Sequence, residues 1–179
     1  MWKLLGIAGM LGGMAGVLHS WVCEQRAKQK WIEDFLLFLK KTRHVMQTEK
    51  IRVVEYFTKY ASQDISCQRE DAATLAKVLE EMARRLSTNT YPNGQMVWEE
   101  VFEEEKRNFP FDQELFQIVV QAGNGFFGRS RKENISFLEK SIRELEQHQI
   151  TSKEKQLQER KVWIPVGMLG TVMLVILFL

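Results

Sequence analysis

The side chains in this chain that could do chemistry are three histidines, two cysteines and a cluster of glutamates. A metal site, or a nucleophile with its base, needs several such groups within reach of one another. His19 lies in or beside an apolar N-terminal run, His44 near the end of an amphipathic stretch, and His148 in a polar one. Cys23 and Cys67 lack the short spacing of zinc ligands and supply no disulfide framework. Glu99, Glu100, Glu103, Glu104 and Glu105 offer paired carboxylates, but a solvated acidic helix face accounts for them. The sharper form of that reading makes Glu99, Glu100, Glu103 and Glu104 a docking strip for a basic partner surface. Gly123-Asn124-Gly125-Phe126-Phe127-Gly128 satisfies the G-x-G-x-x-G pattern. That chemistry requires a buried strand before the glycines and a helix after them, so that helix-start amides meet a pyrophosphate. A helical pattern precedes them here, and they read instead as a helix C-cap and a tight corner where two helices pack closely. No catalytic residue, cofactor or metal is assigned, and the chain is expected to be no enzyme. The sequon Asn134-Ile135-Ser136 should be silent in a cytoplasmic domain.

The elements that hold these residues begin and end in apolar sequence. Leu4 to Cys23 and Val162 to Leu179 carry no formal charge. Each approaches the roughly 18–20 residues needed to cross a hydrocarbon core of about 30 Å. Residues 1–23 and 162–179 are therefore expected to be transmembrane helices. Lys3 is the single basic side chain before the first run, and no small-x-small pair precedes a plausible cut, so a retained anchor is favoured over a signal peptide. Arg26, Lys28, Lys30, Lys40, Lys41 and Arg43 follow the first span, and Arg143, Lys153, Lys155, Arg160 and Lys161 precede the second. Only Lys3 and the terminal amine lie beyond. The positive-inside rule then places the middle of the chain in the cytoplasm of a membrane-embedded protein. A net charge of +2 gives no reason to expect nucleic acid as a partner. In the first span, Ala8, Gly12 and Gly16 form a small-xxx-small ridge with Gly9 and Gly13 beside it, and Gly167 and Gly170 offer a complement in the second. Such ridges let membrane helices approach closely.

Between the spans the apolar period is helical. Trp31, Ile32, Phe35, Leu36 and Leu39 make one stripe, and Val53, Val54, Phe57, Tyr60 and Ala61 a second. Ala72, Leu75, Ala76, Leu79, Met82, Ala83 and Leu86 follow the i, i+3, i+4 rule over four turns. The turn formers from Ser87 to Gly94 end that helix. A fourth runs from about Gln95 to Lys106 with Val97, Trp98, Val101 and Phe102 inward, until Phe109-Pro110-Phe111 breaks the pattern. A fifth, Asp112 to Ala122, uses Leu115, Ile118, Val119 and Ala122. The last opens with a Ser130-x-x-Glu133 capping box and carries Ile135, Leu138, Ile142 and Leu145. The expected organisation is all-α: a cytoplasmic helical bundle over 24–145, a polar helical stalk over 146–161, and the two flanking transmembrane helices.

This layout resembles the stage III sporulation protein AB family of endospore-forming bacteria over essentially the whole chain. The resemblance rests on the Trp2 to Gly6 start, the glycine-rich first span and the helix centred on Trp98. Gln121-Ala122-Gly123 through Phe127-Gly128, Asn134 with Leu138, and Gly167-Met168-Leu169-Gly170 before an Ile/Leu/Val tail complete it. Where that family has a Thr-Pro-Leu turn, this chain has Gln47-Thr48-Glu49-Lys50-Ile51, with Thr48 as the expected N-cap and no proline. Membership implies a non-enzymatic component of a complex in the mother-cell membrane around the forespore. The family is similar to the inner-membrane F proteins of type II secretion, which implies a platform role beside a cytoplasmic ATPase and other membrane subunits. The competing expectation is a bitopic signalling or regulatory protein whose bundle relays motion between its anchors.

Overall fold

The computed structural model describes the backbone of residues 2–49, 52–64, 72–88, 93–106 and 112–178. Side chains are described for 13, 16, 19–49, 52–62, 75–88, 93–106, 112–155, 157–158 and 161. Its described elements are all helical: α1 (Trp2–Thr48), α2 (Val53–Asp64), α3 (Ala72–Ser87), α4 (Gly94–Glu105), α5 (Gln113–Ala122), the single turn α6 (Asn124–Phe127) and α7 (Arg131–Phe178). The chain divides into two compact units, Ala27–His148 and Met1–Arg26 with Gln149–Leu179. The first and last helices hold 47 and 48 residues, about 70 Å each at 1.5 Å per residue. Among the described residues no helix is long and apolar enough to cross a membrane. Most side chains of the two expected spans, 1–23 and 162–179, lie outside the described residues, although the backbone through both is helical.

In the unit Ala27–His148, helix starts are set by short polar side chains that accept orphan amides. The Asn93 carbonyl accepts from the Gln95 N–H at 3.0 Å, the Asp112 carboxylate from Leu115 N–H at 2.7 Å, and the Ser130 hydroxyl from Glu133 N–H at 3.2 Å. Thr48 behaves differently from expectation. Its hydroxyl donates back to the His44 carbonyl at 2.9 Å, so it closes the last turn of α1, and α2 starts only at Val53. The Phe109-Pro110-Phe111 break and Cys67 lie outside the described residues.

The apolar stripes point inward as their periods require. Leu75, Ala76, Leu79, Met82 and Ala83 of α3 are buried, as are Val97, Trp98, Val101 and Phe102 of α4 and Leu115, Ile118, Val119 and Ala122 of α5. On α1 the stripe is wider than expected, because Phe38 is fully buried and Leu36 only partly so. Phe38 lies at the middle of an aromatic core, with ring centroids 4.9 Å from Tyr60, 5.6 Å from Phe126 and 6.0 Å from Phe35 and Phe57. Next to it Thr42 is buried without penalty, since its hydroxyl donates to the Phe38 carbonyl at 2.8 Å. On α7 the buried face continues past Leu145 to His148, one helical turn further than apolar residue types indicate. Within this unit α1 and α7 run antiparallel, joined by Lys40 to Glu146 at 2.7 Å, by Arg43 to Glu139 at 3.9 Å, and by the Arg131 guanidinium to the Met46 carbonyl.

Candidate functional site

The glycine motif is a packing corner. Gly123 has φ −54° and ψ −35°, an ordinary right-handed helical conformation, so the left-handed C-cap geometry that usually demands glycine is not its reason. Space is. A Cβ on Gly123 would stand 2.7 Å from Cδ1 of Trp98, and one on Gly125 would stand 2.6 Å from Cγ of Leu138. These are closer than carbon atoms pack. The missing side chains let α6 lie against α4 on one side and α7 on the other. Trp98 stacks on Phe126 at 4.9 Å, and its indole N–H donates to the Val119 carbonyl at 2.9 Å. That carbonyl is among the last four of α5, which have no intrahelical partner. The expected corner between close helices is therefore present, with tertiary crowding as its cause.

A second node went unrecognised in the sequence. Asp112 caps α5 and also pairs with Lys28 of α1, while His148 Nε2 of α7 lies 3.3 Å from the same carboxylate oxygen. Three elements thus meet on one side chain. Burial pushes the Asp112 carboxyl upward, but the hydrogen bonds from Lys28 and the Leu115 amide, with the charges of Lys28 and His148, outweigh it and hold it below the usual aspartate range. A depressed carboxyl pKa favours the folded state above the unfolded value, and that contribution is lost as pH falls through the folded value. Asp112→Asn keeps a capping acceptor and removes the charge. Because the side chain is 43% exposed, solvent screening limits the effect to under about 1 kcal/mol at pH 7. The difference from the parent should vanish well below pH 4, where aspartates are protonated. Denaturant midpoints of both proteins at neutral and acidic pH check this, and a pH-independent difference would show that the charge is idle. The available sequence signal was His148 standing three residues after Leu145 on the buried stripe.

The acidic strip of α4 is exposed but not bare. Arg85 binds both oxygens of Glu104, at 2.6 and 3.1 Å, and also Glu81 at 2.7 Å. Arg84 and Arg85 together hold the Glu81 carboxyl down to about 2 by hydrogen bonding. Glu100 lies 3.9 Å from Arg85, Glu103 pairs with Lys106 at 3.1 Å, and Glu99 accepts from the Gln95 amide at 2.8 Å. Glu104 thus ties α4 to α3, while Glu99, Glu100 and Glu103 face outward. Of the glycine ridge, Gly13 and Gly16 are exposed, with nothing within 4 Å of an added Cβ. Ala8, Gly9, Gly12, Gly167 and Gly170 lie outside the described side chains.

His19 approaches Cys23 at 3.7 Å one turn away, and His44 is exposed on α1, distant in sequence from both. Among the described residues no group of three or more His, Cys, Asp or Glu side chains could hold a metal ion. What this arrangement provides is charged surface on a compact helical unit. The chain matches the model of the protein family described as Stage III sporulation protein AB over residues 3–179. Searches of curated proteins and of solved structures return no match.

Proposed function

The chain belongs to the stage III sporulation protein AB family, which gives it a role in stage III of sporulation, and from that premise we propose that it is a non-enzymatic membrane platform subunit. In this reading the unit Ala27–His148 stands in the cytoplasm, held at both ends in the mother-cell membrane around the forespore, and couples a cytoplasmic ATPase to other membrane subunits. The observation that carries it is a compact helical unit reached by α1 and left by α7, two unbroken helices that hold the uncharged runs beginning at Leu4 and at Val162. A unit tethered by continuous helices transmits force or position between its partners and the bilayer better than one on flexible linkers. The ATPase partner rests on the resemblance to secretion F proteins. The outward glycines Gly13 and Gly16 suit close approach by another membrane helix.

Reporter fusions and affinity capture test this together. Fusions at either terminus should report the extracytoplasmic side and a fusion within residues 88–94 the cytoplasm, as the basic residues flanking both apolar runs require. Capture of the full chain from sporulating membranes should then recover an ATPase and membrane subunits. A fusion within 88–94 that reports the outer side would sink the topology. Recovery of the chain without an ATPase would sink the coupling role.

A further inference from the structure

Between the C-terminal part of α1 and α2 runs an open groove of about 410 Å³ whose walls carry Lys40, Lys41, His44 and Lys59 and whose floor is Tyr56 and Tyr60. All four basic side chains are exposed. Lys40 already serves Glu146 at 2.7 Å, and Lys41 lies over the Tyr60 ring, 5.2 Å from its centre. Among the described residues Lys41 and Lys59 meet no carboxylate. Glu49 is the one acidic residue of the lining. Such a surface is concave, cationic and aromatic, and it fits a convex acidic element.

The same chain carries one. On α4 and the adjoining α3, Glu81, Glu99, Glu100, Glu103 and Glu104 stand with Arg84, Arg85 and Lys106 as the cations they contact, so the face keeps net negative charge. Glu99 and Glu103 are four residues apart, the spacing of neighbours on one helix face. Lys40 and His44 have that same spacing on the wall of the groove. Within one chain the two surfaces lie on different helices and serve different neighbours, Lys40 turning to α7 and Arg85 to α4.

We propose that the basic groove between α1 and α2 receives the acidic face of α4 from a second copy of this chain, so that copies associate head to tail. The contact is heterologous, leaving one groove and one acidic face open at the ends of any short assembly, and growth continues until a ring closes or a chain extends. Its attraction acts between exposed charges and is screened by salt. This goes beyond the platform reading and does not depend on the ATPase.

The test is sedimentation of the full chain in a mild detergent at about 50 mM and about 500 mM salt, which bracket weak and strong screening. At low salt the parent should form species larger than a dimer, and at high salt it should fall to single copies. Lys41→Glu with Lys59→Glu, and separately Glu99→Lys with Glu103→Lys, should each weaken association by at least about tenfold. An equimolar mixture of the two variants should reassemble, because each reversed surface finds its reversed complement. A chain bearing all four changes should reassemble alone. If a reversal lowers the helical signal, Lys41→Gln with Lys59→Gln takes its place, with the same expected loss. A parent that is a single copy at both salts overturns the proposal. So does assembly unaffected by the variants, as association through the apolar ends would give, or a mixture that stays apart.

Discussion

Trp98→Ala should produce one of the two largest losses of stability of any single change in the unit Ala27–His148. The indole is fully buried, stacked on Phe126 and against Phe102 with centroids at 4.9 Å, and within about ring contact of Phe35 and Phe57 at 6.4 and 6.1 Å. Truncating a buried aromatic to alanine costs about 3–5 kcal/mol, and here it also strands the Val119 carbonyl that the indole N–H satisfies. Against a typical domain stability of about 5–15 kcal/mol, the variant should lose most of its cooperative unfolding transition. Trp98→Phe separates the two contributions, since it retains a ring and deletes the donor, and should cost about 1–3 kcal/mol, the range for an unsatisfied buried acceptor. Thermal unfolding followed by near-ultraviolet dichroism distinguishes them. An alanine variant that melts with the parent would mean that the corner does not organise the core.

Leu79→Asp should be comparably severe for a different reason. Leu79 is fully buried on α3, where an ionised carboxylate would have neither water nor a counter-charge. The unit must then hold a desolvated charge, bind a proton to neutralise it, or open, at a cost of several kcal/mol. Lys77→Asp, two residues earlier and exposed, is the control and should shift stability by no more than about 0.5 kcal/mol. Denaturant titration of both variants checks the pair. Equal midpoints for Leu79→Asp and Lys77→Asp would contradict the burial of this face.

These two positions were legible in the sequence for one physical reason. A helix repeats every 3.6 residues, so the residues that share its buried face are written at fixed separations. That is why α3, α4 and α5 turn inward the residues their stripes nominate, while the Ser130 cap was legible separately, as a hydroxyl three residues before Glu133. Family membership was legible in the same way, through an order of motifs along the whole chain.

Other features depend on approach between distant positions, which no local period records. Lys28 and Asp112 are 84 residues apart, and only the folded unit brings them to His148, a residue that polar neighbours in sequence place on a solvated stalk. Phe38 lies outside the expected α1 stripe because the stripe predicts direction, whereas its burial follows from Tyr56, Phe57 and Tyr60 of α2 and Phe126 of α6 closing around it. The glycines of residues 123–128 satisfy a nucleotide-loop pattern, yet their backbone angles are ordinary and the need for glycine comes from Trp98 and Leu138 pressing from α4 and α7. Likewise the acidic strip was visible as a run of glutamates, but Arg85 drawing Glu104 into a tie between α3 and α4 was not. By itself the sequence determined the helices, their buried faces and the family. Tertiary structure decided which charges are used inside the unit and which face outward, because pairing depends on distance in space and not on separation along the chain.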